Sequence, residues 1–203
     1  MMLQRRPQAF LAIILVLILN AVVLVACMPS DPLAQAAIRR HAVDTLNATD
    51  LPFGWGHRRS DSIKSPDGYG LRVVYYGADP RGQSYVNVSQ RLVYYRTVEL
   101  SQAAYQAAVA EAVPTAAAHK WVRPPELDFA ARADEMTIAC LPGRINGIYH
   151  RACSFIARYD DMVMILYANV FEDRWLTMVQ FRWLLERVDA RVNSIKPSRT
   201  PRP

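Results

Sequence analysis

Three cysteines and four histidines are the residues of this 203-residue chain with the most reactive side chains. Cys140 and Cys153 flank Asn146-Gly147, the strongest two-residue hairpin signal. A turn centred there sets Ile145 opposite Ile148 and, further out, Cys140 opposite Cys153. Counting from a hydrogen-bonded closing pair, the cysteines fall on a non-hydrogen-bonded rung, where alpha carbons approach to about 4.5 Å, close enough for a disulfide. Pro142 falls on another such rung, where its missing donor does no harm. A structural Cys140–Cys153 bond is expected, and no CxxC redox motif is present. The histidines, His41, His57, His119 and His150, are scattered without metal-ligand spacing. GxSxG, HExxH and phosphate-binding glycine loops are all missing. Asp160-Asp161 reads as a solvated turn, and Asp134-Glu135 as an ordinary strand start. The expectation is therefore a non-catalytic protein with no catalytic residues, metal or cofactor.

The third cysteine belongs to a different pattern. Arg5 and Arg6 precede an apolar run from Phe10 to Ala26 that only Asn20 interrupts, and Leu24-Val25-Ala26-Cys27 closes it. Positive residues before an apolar run form an export signal, and the positive end stays in the cytoplasm. The last four residues resemble the lipobox of bacterial lipoproteins. That resemblance implies that residues 1–26 are a signal peptide, that Cys27 carries diacylglycerol, and that its new amino end is acylated. The other reading is an uncleaved signal anchor, because the apolar run reaches the lower limit for a spanning helix of roughly 17–25 residues. Both readings tether the domain to the cell membrane on its extracytoplasmic face. That compartment permits the cysteine pair to oxidise.

Net charge is +6, but Arg5 and Arg6 carry two of those charges and the Lys196–Pro203 tail carries more. Nucleic acid is not expected as a partner; mild attraction to acidic headgroups is a more natural use of this charge. Residues 27–31 read as a tether, 32–196 as one domain and 197–203 as a disordered tail. A domain of that size buries roughly two thirds of its unfolded surface and needs no metal to fold.

Within the domain, Asp31-Pro32 opens a helix with Ala34, Ala37, Ile38, Ala42 and Leu46 on one stripe. Leu51-Pro52-Phe53-Gly54-Trp55 is an apolar chain entry, and 57–70 reads as a polar loop. Leu71–Tyr76 and Ser84–Tyr95 form a hairpin with Val86, Val88, Leu92 and Tyr94 on one face. Ser101 caps a helix with Tyr105, Ala108, Val109 and Ala112 on its buried stripe. Three strands follow, about Glu135–Leu141, Tyr149–Tyr159 and Met162–Val170, the last an interior strand because it is apolar on both faces. Thr177 and Gln180 form a capping box for a final helix that buries Phe181, Leu184, Leu185, Val188 and Val192, with Arg182, Glu186, Arg187 and Arg191 facing water.

This pattern predicts an α+β fold, an antiparallel sheet with helices on both faces in a three-layer sandwich. The order, with Leu51–Trp55 near the start and the capped Thr177 helix at the end, resembles the PsbP-like sandwich family over about residues 50–195. The resemblance implies a non-enzymatic extrinsic subunit, assembly factor or binding module. The expected activity is contact with another envelope protein; Trp121, Tyr149 or Tyr159 would serve as anchors where exposed, although core packing is the role expected of each. The alternative is a small-ligand carrier or enzyme using a cleft between sheet and helix.

Overall fold

The computed structural model describes residues 46–52, 54–65, 67–77, 86–113, 120–145 and 147–195. The expected signal, Cys27, the tether, His41, His119, Asn146 and the tail lie outside the described residues, as does the expected first helix apart from Leu46. The fold is α+β, with six antiparallel strands and two longer helices among the described residues. In chain order these are β1 (Trp55–Ser65), β2 (Gly68–Gly77), β3 (Asn87–Tyr95), α1 (Val98–Ala112), β4 (Glu135–Ile145), β5 (Ile148–Tyr159), β6 (Met162–Val170) and α2 (Met178–Ser194). The strands lie in the order β1-β2-β3-β6-β5-β4.

β6 is central, as its doubly apolar sequence requires: it pairs with β3 on one side and β5 on the other. Alternation along β5 sends Phe155, Ala157 and Tyr159 into a large core with Phe181, Leu184, Leu185, Val188 and Val192 of α2. Ile156, between them, joins Val163 and Tyr105 of α1 in a second, smaller cluster. α2 buries the stripe that its spacing predicts, whereas on α1 Tyr105 is buried and Ala108, Val109 and Ala112 are only partly so.

Three local expectations change. Residues 57–70 are not a loop: most of them belong to β1 and the start of β2. β1 is an edge strand with a register shift between His57 and Arg59, so its polar residues need no hydrophobic period. The N-cap of α1 is Thr97, whose Oγ1 accepts from Leu100 N at 3.3 Å. Ser101 lies inside the helix, buried, and its hydroxyl donates to the carbonyls of Val98 and Asp160. Arg191 does not simply face water. Its guanidinium makes a two-pronged ion pair with Asp50, at 2.8 and 2.9 Å.

The chain enters the fold at Leu46. Gln90 accepts from its N–H at 2.5 Å, and Tyr75 donates to its carbonyl at 2.7 Å. Asp50 then closes a capping box with Asn47 around a short 3-10 turn. Burial alone would raise the Asp50 pKa, but Arg191, the Asn47 N–H and Arg187 outweigh it, and the carboxyl is held below its usual range.

The hairpin register follows the turn chemistry. Ile145 pairs with Ile148 and Cys140 with Cys153. The two sulfurs are bonded, and the alpha carbons lie 4.1 Å apart. Cys140 donates to and accepts from the backbone of Val122, on the side away from β5. Its pairing with Cys153 is therefore of the non-hydrogen-bonded kind, as expected. Gly147 takes φ +79°, the conformation the turn demands.

Candidate functional site

Register places a row of polar side chains on the sheet surface that α1 only partly covers. Arg72 on β2 lies directly opposite Arg91 on β3. Arg91 is opposite Ile165 on β6, and Ser89 is opposite Tyr167, which in turn faces Ser154 on β5. These side chains floor an open groove of about 540 Å³. Ile63 marks its β1 end, Trp121 lines it from the segment that precedes β4, and Ala108, Glu111 and Ala112 of α1 border it. A smaller hollow of about 160 Å³ shares Arg91, Ala108, Glu111 and Ile165 and continues toward Tyr95 and Val163.

The groove exists because of the side chains α1 presents. Ala104, Ala108 and Ala112 let the helix approach the sheet but cover little of it. Tyr105 alone reaches deeply, and its hydroxyl pairs with Thr137 Oγ1 at 2.8 Å.

Electrostatically the groove is unfinished. Arg72 and Arg91 are exposed, and neither forms an ion pair with a described residue. Like charges directly opposite in a sheet repel. Asp61, opposite Arg72 on β1, is taken by Arg59 at 2.7 Å. Glu111 lines the same space and pairs with neither arginine. Burial raises the pKa of Tyr95, and nearby Arg91 partly offsets this. Burial likewise raises that of Tyr167, whose hydroxyl donates to Asn169 Oδ1 at 3.2 Å. Both phenols therefore stay neutral near pH 7.

Of the described residues singled out from sequence as candidates for chemistry or contact, Trp121 alone lines this groove. Tyr159 is a core residue: it is fully buried and donates to Asp189 Oδ1 at 2.8 Å. Asp189 also accepts from Arg132 N through both oxygens. Tyr149 is exposed on β5, beside Arg151. Asp134 and Glu135 hold Arg158, at 3.6 and 2.7 Å. Asp160 adopts φ 57° in the β5–β6 turn, consistent with its reading as a turn former. His150 is buried against Phe171, 5.8 Å between ring centroids, and burial pushes its pKa down. Cys140 and Cys153 sit in the α2 core. Among the described residues, no three His, Cys, Asp or Glu side chains gather as a metal site, and no helix is long and apolar enough to cross a membrane.

No protein-family model, curated protein or solved structure matched this chain. The groove must be read from its own residues. Arg72, Arg91, Ser89 and Ser154 carry no motif. The one signal available is an arginine in the middle of each of two strands.

A second exposed surface lies on α2. Val179 and Trp183 are one turn apart and 77% and 47% exposed, and Arg187 stacks on the Trp183 ring at 4.4 Å.

Proposed function

We propose that this protein is a membrane-tethered, extracytoplasmic binding module that acts by contact with another envelope protein rather than by catalysis. The observation that carries the reading is the open groove, whose lining combines two guanidiniums without a described counter-ion and a half-buried tryptophan. Arginine and aromatic side chains are the usual anchors of contact surfaces. Two further observations support the location. The Arg5-Arg6, apolar-run and Cys27 order suits export followed by acylation of Cys27, and two or more acyl chains anchor stably. The Cys140–Cys153 bond suits an oxidising compartment. Alternation of the two cores along β5 supports reading the fold as a three-layer sandwich of the PsbP-like kind, with α1 and α2 as outer layers.

Two measurements test this. A photoreactive phenylalanine analogue at Ser89, in the groove, is expected to cross-link one discrete envelope protein in native membranes, and the same analogue at Val179 is not. The reverse pattern would move the contact to α2. Cys27→Ser is expected to abolish palmitate incorporation; a fully acylated variant would end the lipoprotein reading.

A small-ligand carrier is the second reading, favoured by the groove's volume, which falls in the roughly 300–1,000 Å³ typical of ligand sites. A small molecule that co-purifies with the chain, together with no cross-link from Ser89, would reverse the order.

A further inference from the structure

We propose that the groove binds an acidic, extended peptide segment of a partner protein, with its carboxylates on Arg72 and Arg91. This rests on the reading of the groove as the binding site and names the chemistry of its occupant.

Charge is the first argument. The β2–β3 register sets the two arginines directly opposite each other, and neither pairs with a described carboxylate. Asp61, the described acid opposite Arg72 in register, is already engaged by Arg59. A bound carboxylate removes this repulsion and meets the guanidinium fork with paired hydrogen bonds. The folded protein thus tolerates an unfavourable pair that a ligand of opposite charge would resolve.

Shape is the second. The floor crosses five adjacent strands, from Ile63 on β1 through Arg72, Arg91 and Ile165 to Ser154 on β5. At about 4.8 Å per strand that is roughly 19 Å. An extended chain at about 3.3 Å per residue covers it with about six residues. A single small anion would reach only the arginine end.

Polarity along the floor is the third argument. The hydroxyls of Ser89 and Ser154 have no hydrogen-bond partner among the described residues and can serve the backbone or polar side chains of a peptide. A fatty chain would leave both, and Glu111, buried and unsatisfied. Ile63, Ile165 and Trp121 offer apolar contact on either side of the charged pair. The matching segment therefore alternates acidic and apolar residues.

The test uses the full chain in detergent micelles and a fluorescent hexapeptide alternating glutamate with valine and ending in phenylalanine, read by anisotropy. The glutamine analogue is expected to bind at least tenfold more weakly. Arg72→Gln and Arg91→Gln are each expected to weaken the acidic peptide about tenfold, as loss of a charged hydrogen-bonding partner does. Arg182→Gln, at an exposed ion pair of α2 away from the groove, is expected to leave binding unchanged, and Glu111→Gln to tighten it several-fold. Equal binding of acidic and neutral peptides would overturn the proposal. So would binding of a sulfated polysaccharide where the acidic peptide does not bind. If Ser89 cross-links a partner while the acidic peptide fails, the ligand chemistry is wrong and the groove reading stands. If both fail, both fall.

Discussion

The core that α2 closes and the groove that α1 leaves open use the same sheet in opposite ways. α2 presents Phe181, Leu184, Leu185, Val188 and Val192, all essentially fully buried. Three buried polar groups on that side find partners: Asp189 in Tyr159 and Arg132, Asp50 in Arg191 and Asn47, Gln90 in Leu46 and Met164. α1 presents mostly alanines, and the strands beneath it carry arginines without described counter-ions. Side-chain size thus separates the two regions. Bulky residues complete one surface and hold the fold together; small ones leave the other incomplete and available.

If that contrast is right, substitutions in the two regions change stability with opposite sign. The largest effect belongs to the α2 core. Phe181→Ala removes a fully buried ring and is expected to destabilise by about 3–5 kcal/mol, measured by denaturant unfolding. A loss under about 1 kcal/mol would mean that α2 is not the structural helix.

The disulfide comes next. It closes a loop with a sequence separation of 13 residues. The chain-entropy relation gives about 3 kcal/mol for a loop of that size. Paired Cys140→Ser and Cys153→Ser substitutions are expected to lower stability by that amount, and a reductant should do the same to the natural protein but not to the variant.

Acid sensitivity should also originate on the α2 side. The folded pKa of Asp50 is held below its ordinary 3.8, so the stability it contributes is present above 3.8 and is lost as pH falls through the lowered folded value. His150 has a folded pKa below its usual 6.5, so its neutral form also favours the fold above 6.5 and the benefit declines as pH falls through the folded value. Asp50→Asn is expected to flatten the melting temperature against pH below 3.8, and His150→Gln to flatten the earlier decline. Unchanged slopes in both variants would remove these groups as the source.

Strands β2 to β6, the two helices and the disulfide register are all legible in the amino-acid sequence. A run apolar on both faces marks Met162–Val170, hydrophobic period marks the α2 stripe, and Asn146-Gly147 sets the cysteine pairing. β1 escapes such a reading because an edge strand such as Arg59–Lys64 has one neighbour and little to bury, so no apolar period marks it. The groove is illegible for a different reason. Arg72 and Arg91 become neighbours only through the β2–β3 register, and the segment joining those strands is too long for its turn type to specify that register. Trp183 escapes because its helix is recognised by its buried stripe, and exposed apolar residues leave no period of their own.

The smallest effect is the one that separates the two regions most sharply. Arg72→Gln removes one of two opposed charges on a surface where nothing described pairs with either. Cross-strand like-charge pairs destabilise by about 0.2–1 kcal/mol, so the variant is expected to unfold at slightly higher denaturant and to gain more at low ionic strength than at high. The double variant with Arg91→Gln should gain no more than the single, because one substitution already removes the repulsion. A loss of stability instead would mean that Arg72 is a structural residue with a partner inside the fold. A gain would identify a pair retained against the interest of folding, which is how a binding site differs from a core.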